Sequence, residues 1–421
     1  MAASPRGNSL ARVLVYSLVF PPDGVSTAQV LGEVAEDLAA VGHEVFVITT
    51  QPHYNRDHVA EQAQPLRRWR GGLVYESRFR GIRSLHIAMP AGRERLGHRL
   101  RGWLGFHVLG FVLALESMPR ADVIIVPSPL LTAGVVAWAI TKVRGGSYIY
   151  NVQELYPELA IQMGRLKNPL MIGLLRYLER FVYRTARAVV GISQGICDQV
   201  IAVGAERRKV HMIPNFVDLR DLTPLPRDSD FSREHDLGDA FVVLYAGNMG
   251  HAQGLETVLD AAEQSGAAAL RYVLIGNGVL YKRLEEQIRA RRLTNVTQIG
   301  HQPYARMPEI YAAADVCLVP LLEQVTGSAL PSKIFRIMAC GRPVLALCNP
   351  ESELADLVRA ASAGVVVPPG RPDLLSRAAA ELATQPEICA RMGRAGREFV
   401  IKEYARPAIT GRYAALIDAL A

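Results

Sequence analysis

Gly327-Ser328-Ala329-Leu330-Pro331-Ser332-Lys333-Ile334-Phe335-Arg336-Ile337-Met338-Ala339-Cys340-Gly341-Arg342-Pro343-Val344 is the stretch on which the reading of this chain turns. A Gly/Ser loop runs into a helix that opens near Pro331-Ser332, and a Gly-x-Pro turn then leads into an apolar strand. Lys333 and Arg336 are three residues apart, so they share a face in the first helical turn. Cations oppose the helix dipole there. An anionic ligand explains them better than helix stability does, with a plain exposed surface as the alternative.

Working outward, the same strand-to-helix unit repeats. Strands are expected at 241–246, 271–275, 296–299, 316–320, 343–347 and 364–367 in the second half. In the first half they are expected at 12–20, 44–49, 122–127, 147–152, 188–192 and 209–213, with a helix over 27–41 stopped by Gly42. Such repetition implies mostly parallel sheets covered on both faces. Residues 214–239 break the rhythm with Pro214, Pro224, Pro226 and the polar run Arg227-Asp228-Ser229-Asp230. The expected organisation is a first α/β domain over 1–218, a linker over 219–240, a second α/β domain over 241–400, and a terminal helix over 401–421 that crosses back to the first domain. Two doubly wound, Rossmann-like halves bind ligand in a cleft facing the carboxyl ends of the strands.

Composition narrows the class. The 421 residues are 50% hydrophobic and 21% charged, which excludes a disordered chain. The five cysteines show no C-x-x-C pair, so neither a zinc site nor a redox motif is expected, and a reducing cytoplasm fits. The start of the chain does not read as a signal peptide. The longest strongly apolar stretch, 103–115, is shorter than the ~20 residues a spanning helix needs. Charge is lopsided: residues 1–218 hold 25 Lys+Arg against 17 Asp+Glu, and 56–101 hold 11 arginines against four acids. That excess suits lipid head groups, nucleic acid or a phosphorylated substrate, or else a solvated surface. Arg93, Arg95, Arg99 and Arg101 precede Trp103, Leu104, Phe106, Leu109 and Phe111, so 93–115 reads either as an interfacial membrane anchor or as a buried helix under a basic loop.

Four more signals sit at strand ends. After the first strand, Gly24 lies in Pro21-Pro22-Asp23-Gly24-Val25-Ser26-Thr27, ahead of a helix whose free N–H groups attract an anion. Tyr245-Ala246-Gly247-Asn248-Met249-Gly250-His251-Ala252-Gln253-Gly254 suits a diphosphate resting on backbone amides. Ile275-Gly276-Asn277-Gly278 leaves room for a base or ribose. Tyr150-Asn151-Val152-Gln153-Glu154-Leu155-Tyr156-Pro157-Glu158 places two carboxylates that bind sugar hydroxyls or act as acid or base. Ordinary βα turns and solvated loop acids are the plainer readings of each.

Taken in this order, the residues resemble glycosyltransferase family 4, which has the GT-B fold. The matching pieces are Gly-His-Glu-Val at 42–45, Ala-Gly-Asn at 246–248, Gly-Leu-Glu-Thr at 254–257, Pro-Ser-Lys at 331–333 and Met-Ala-Cys-Gly-Arg-Pro-Val at 338–344. The nearest likeness is to the bacterial surface-polysaccharide branch, with L-fucosamine and colanic-acid-type transferases. This implies a nucleotide-sugar donor of the UDP class, such as a UDP-N-acetylhexosamine. It also implies retention of anomeric configuration, no metal cofactor, and a saccharide or lipid-linked saccharide acceptor. The expected setting is cytoplasmic and peripheral on the inner face of the plasma membrane, with no nucleic-acid partner.

Three positions depart from the family pattern. Asn248 and Gln253 stand where an Arg and a Lys are common, and Gln153-Glu154 where a His-Asp pair is common. Ser328 and Arg336 occupy the two acidic positions of the Glu-x7-Glu motif. The resemblance therefore assigns Gly247, Asn248, Gly250, Ser332 and Lys333 to the diphosphate, and Arg336 to ribose or phosphate. Asn277 and the loop from Gln302 to Met307 go to the base, Gly24 to closure over the phosphates, and Glu154 and Glu158 to the donor sugar or acceptor. The substitutions at Ser328 and Arg336 leave open a non-catalytic GT-B protein that binds a nucleotide sugar or a partner transferase. A sugar-nucleotide epimerase is the other alternative. No dinucleotide fingerprint supports an NAD-dependent oxidoreductase.

Overall fold

The computed structural model describes residues 10–53, 58–89, 96–238, 240–266, 270–325 and 330–421. The chain divides into two compact units, Met1–Asn215 with Pro407–Ala421, and Phe216–Arg406.

Among the described residues, the first unit is built on nine strands: β1 (Arg12–Tyr16), β2 (Glu44–Thr50), β3 (Arg67–Trp69), β4 (Val74–Phe79), β5 (Ile82–Ile87), β6 (Val123–Pro127), β7 (Ser147–Val152), β8 (Ala188–Gly191) and β9 (Val210–Met212). Their order is β3-β4-β5-β2-β1-β6-β7-β8-β9. β1 lies between β2 and β6, both parallel to it, with Val13 opposite Val45 and Val123. These central strands are buried on both faces, so they read as unbroken apolar runs such as VIIVP in β6. Helices Leu96–Glu116, Leu131–Arg144 and Pro169–Thr185 stand side by side, the middle one touching both neighbours.

The antiparallel edge β3-β4-β5 falls in the arginine-rich segment, where charge hides the strand alternation. Several of those arginines are used within the unit. Arg70 pairs with Glu116 at 3.2 Å, Arg83 with Glu76 at 2.7 Å, and Arg80 with Glu36. Arg70 and Arg83 also lie over the Trp69 ring. Part of the charge expected to meet an external anion, three of the 11 arginines, therefore meets carboxylates of its own unit, two of them also an aromatic ring.

Helix Arg406–Leu420 closes the chain, and its residues from Pro407 onward belong to the first unit. Asn151 Nδ2 donates to Tyr413 Oη at 3.0 Å. His43 Nδ1 accepts from the Ala11 amide, which turns its Nε2 toward Asp418 Oδ1 at 3.6 Å.

The second unit carries, among the described residues, six parallel strands: β10 (Phe241–Ala246), β11 (Leu270–Ile275), β12 (Val296–Ile299), β13 (Val316–Pro320), β14 (Val344–Leu347) and β15 (Gly364–Val367). The order β12-β11-β10-β13-β14-β15 is the doubly wound arrangement in which strand order reverses between β10 and β13. The described residues of 219–240, a segment expected as a linker, are packed into this unit. Leu222, Phe231 and Leu237 are buried, and helix Asp230–Glu234 is held by a reciprocal Ser229–Ser232 cap. Prolines and charge mark this segment as irregular, but burial of its apolar residues makes it part of the core.

One buried ion pair closes the second unit. Arg406 donates to Asp218 Oδ2 at 2.7 Å, and Arg220 also donates to Asp218. Desolvation would raise the Asp218 pKa, but hydrogen bonds from Arg220 and Arg406 outweigh it and hold the value at about 2. Because the folded value lies below the unfolded one, this stabilisation is complete above about pH 4 and is lost as pH falls toward 2. Arg406→Ala is expected to cost about 3 kcal/mol at pH 7 in urea unfolding. The deficit should shrink on acidification through that window; a constant deficit would show that Asp218 is not the partner that matters.

Candidate active site

The strand reversal sets the site of the second unit. Loops leaving the carboxyl ends of β10 and β11 lie directly against each other. Gly247 N–H donates to Ile275 O at 2.9 Å, and Met249 N–H donates to Asn277 O at 2.8 Å. Gly276 (φ +142°) and Gly278 (φ +154°) adopt backbone that side chains rarely tolerate. A Cβ on Gly276 would overlap the Gly247 carbonyl. The Gly250 N–H donates to Gln253 Oε1 at 3.1 Å, so the glutamine at a position where the family favours a cation ties the loop to itself.

Lys333 opens helix Lys333–Ala339, which follows β13 across the reversal. Its Nζ is 3.8 Å from the Tyr245 ring centroid. It is out of contact with solvent and has no hydrogen-bond partner among the described residues. A Cβ on Gly247 would come within 2.5 Å of that Nζ, so the missing side chain at 247 is what admits the ammonium. Desolvation, with the Arg336 charge adding to it, lowers the Lys333 pKa to about 7. The Tyr245 hydroxyl donates to Asn248 O at 2.6 Å, which fixes the ring beneath the lysine and braces the loop above it. Arg336, one turn on, lies 5.1 Å from the Tyr304 ring centroid. The structure thus brings Gly247, Asn248, Gly250, Asn277, Lys333 and Arg336 to the carboxyl edge of one sheet.

Other expected site residues fare differently. Gln302 is half-buried and accepts from Arg306 at 3.3 Å, and Met307 begins helix Met307–Ala312. Ser332 occupies the N-cap position of the Lys333 helix without making a side-chain cap. Ser328 lies outside the described residues. Two aromatic contacts were not legible in the sequence: Tyr245 with Lys333, and Tyr304 with Arg336. The only sequence signal for Tyr245 is an aromatic residue two positions before a strand-end glycine.

Gly24, Glu154 and Glu158 belong to the first unit. Ser128 Oγ accepts from the Gln153 and Glu154 amides at 2.9 and 3.0 Å, which shapes the turn that leaves Glu154 exposed. Glu158 is 3.6 Å from Arg176 and accepts from Gln162. Beside Gly24, Asp23 is buried and accepts from the His53 amide at 3.0 Å. The His53 ring meets Thr50 Oγ1 at 2.8 Å. This cluster ties the loop after β1 to the end of β2, and nothing in the local sequence pattern announces it. Of the 93–115 segment, Arg93 and Arg95 lie outside the described residues. Phe106 and Leu113 of its helix are buried, whereas Leu104 and Val108 are exposed.

The chain matches the glycosyl transferase 4-like domain over residues 27–215 and the glycosyl transferases group 1 domain over residues 227–399. It belongs to the family 4 glycosyltransferases of the GT-B fold, enzymes that use nucleotide-sugar donors. Among curated relatives it is 27% identical to the putative colanic acid biosynthesis glycosyl transferase WcaI of Escherichia coli, over 82% of this chain and 85% of that one. It is also 27% identical to the probable glycosyltransferase WbjE of Pseudomonas aeruginosa, over 55% of this chain and 59% of that one. Among solved structures it shares the fold of Anabaena HepE in complex with UDP-glucose, with a TM-score of 0.74 and 17% identity over 97% of this chain and all of that one.

Proposed function

We propose that the protein transfers a sugar, of the N-acetylhexosamine type, from a UDP-sugar to a saccharide or lipid-linked saccharide in bacterial surface-polysaccharide synthesis, with retention of configuration. The observation that carries the donor half is the Lys333 ammonium, buried over Tyr245 against Gly247 with no hydrogen-bond partner among the described residues. An uncompensated buried cation is costly and calls for an anion. A diphosphate supplies one, and cleavage of the sugar–phosphate bond leaves further negative charge on it. Lys333 and Arg336, with the Asn248 amide, stabilise that leaving group, whereas the Gly247 and Gly250 amides expected there already donate to Ile275 O and Gln253 Oε1. Ser332 and Ser328 belong to the same phosphate-side assignment. Asn277 and the loop from Gln302 to Met307 hold the base. By the family resemblance, Glu154 and Glu158 orient the donor sugar or the acceptor, and Gly24 permits closure over the phosphates.

The likeness to WcaI, a putative colanic acid biosynthesis glycosyl transferase, supports the pathway class, and HepE's bound UDP-glucose supports the donor class. Two protein cations at the diphosphate take the place of a divalent ion, so turnover is expected to be unchanged by EDTA; a loss of more than about tenfold that magnesium restores would overturn the metal-free reading. The setting is cytoplasmic, with the protein peripheral on the inner face of the plasma membrane. No helix among the described residues is long and apolar enough to cross a membrane.

The donor test is thermal stabilisation by a panel of nucleotides and nucleotide sugars. A ligand at about 100 times its Kd adds about 2.7 kcal/mol, a shift of a few degrees. Selective stabilisation by UDP and a UDP-sugar is expected. Preference for GDP or dTDP would overturn the donor assignment, and no shift with any nucleotide would overturn the donor site.

A further inference from the structure

We infer that the outward face of helix Pro169–Thr185 seats the protein on an anionic phospholipid bilayer. This rests on the peripheral-membrane reading above and names the surface that performs it.

The helix is apolar on two sides. Its inward side is accounted for: Val182 and Tyr183 are buried in the core of the first unit, and Phe181 meets Trp138 edge-to-face at 5.2 Å. The outward side has no such account. Leu170 is 85% exposed, Leu174 52% and Tyr177 67%, with Met171 beside them at 46%. Positions 170, 174 and 177 fall on one helical face. An amphipathic surface helix normally turns polar residues outward, so this arrangement inverts the expectation.

Charge decides what covers that face. Residues 165–187 contain six cations, Arg165, Lys167, Arg176, Arg180, Arg184 and Arg187, all exposed. They contain one acid, Glu179, which is buried and accepts from the Tyr183 hydroxyl. Among the described residues only Arg176 of these six has a carboxylate of another segment in ion-pair range, Glu158 at 3.6 Å. An apolar strip with an aromatic residue, framed by long basic side chains, is the composition of an interfacial helix: the apolar residues enter the acyl boundary while Lys and Arg reach the phosphates. A second copy of this face would set the two cation clusters against each other. A nucleic acid would use the cations but leave Leu170 and Leu174 in water.

A second exposed apolar pair lies in the same helix layer. Leu104 and Val108, one turn apart on helix Leu96–Glu116, are 64% and 54% exposed. That helix and Pro169–Thr185 flank helix Leu131–Arg144 on either side.

The test is co-sedimentation of the full chain with vesicles of phosphatidylcholine alone and of phosphatidylcholine with about one-third phosphatidylglycerol. Wild type is expected to bind only the mixed vesicles and to be released by salt. Leu174→Glu with Tyr177→Glu should lower the bound fraction about tenfold or more at an unchanged melting temperature, and so should Arg180→Glu with Arg184→Glu. If wild type binds and both variants bind equally well, this surface is wrong while the peripheral reading stands. If wild type binds neither vesicle, both fall. A wild-type dimer that the Leu174→Glu, Tyr177→Glu variant abolishes would make the face a self-interface and overturn the lipid assignment.

Discussion

Lys333→Met is expected to lower kcat about 10²–10³-fold while leaving the free protein at least as stable at neutral pH. The two effects have one cause. In the free protein the Lys333 ammonium is desolvated, lies near Arg336, and has no hydrogen-bond acceptor among the described residues. Methionine keeps the volume over the Tyr245 ring and removes the charge. When the leaving diphosphate develops charge, the same ammonium is preorganised for it, and removal of such a group costs about 10²–10³ in kcat. Normal kcat in the variant would remove Lys333 from the chemistry. Loss of activity together with a large drop in melting temperature would make it a structural residue.

The same lysine predicts two pH profiles of known sign. Its folded pKa, about 7, lies below its ordinary 10.5. Between those values the unfolded chain binds the extra proton, so stability of the free protein should rise as pH increases from 7 toward 10. The Met variant should lack that rise. Nucleotide binding runs the opposite way, because the diphosphate favours the protonated lysine. The apparent UDP affinity should fall by up to about tenfold per pH unit above 7 until the pKa of the complex is reached. Titration calorimetry on wild type and variant separates this effect from ionisation of the nucleotide, which both share.

Where burial alone specifies structure, the sequence was readable. Strands such as β10, FVVLYA, and β13, VCLVP, are apolar on both faces because parallel strands are covered on both, and their expected and observed limits coincide. The hairpin β4-β5 was not readable, because Arg78, Arg80 and Arg83 interrupt the apolar pattern, and their partners are respectively a turn carbonyl at Gly81, Glu36 of a distant helix and Glu76 across the hairpin. Residues 219–240 looked like a connector because proline and charge are local signals, whereas burial of Phe231 is a tertiary one. At the site, Lys333 and the glycine loops were legible as residue types at strand ends. Tyr245 beneath Lys333 was not, since a ring–cation contact across β10 and β13 depends on the strand order. Nor can spacing alone separate Leu174, which faces out of helix Pro169–Thr185, from Leu175, which packs on the core.

Gly276→Ala should damage the nucleotide site more than any other single methyl group added to it. A Cβ at 276 meets the backbone oxygen of Gly247, not the movable end of a side chain, and the position holds φ at +142°. Two penalties therefore combine: strain at a backbone conformation reserved for glycine, and overlap that only separation of the β10 and β11 loops relieves. Separation would lengthen the Gly247 N–H bond to Ile275 O and shift the carbonyl and amides beside Lys333 Nζ. The expected loss is about 2–4 kcal/mol of stability together with a UDP affinity weakened by one to two orders of magnitude. Gly300→Ala is the matched control, because it follows the neighbouring strand β12 and an added Cβ there meets nothing within 4 Å. The control should bind and melt like wild type. Should Gly276→Ala also bind UDP like wild type, close backbone contact between the two glycine loops would not be what shapes the phosphate site, and the lysine alone would have to carry it.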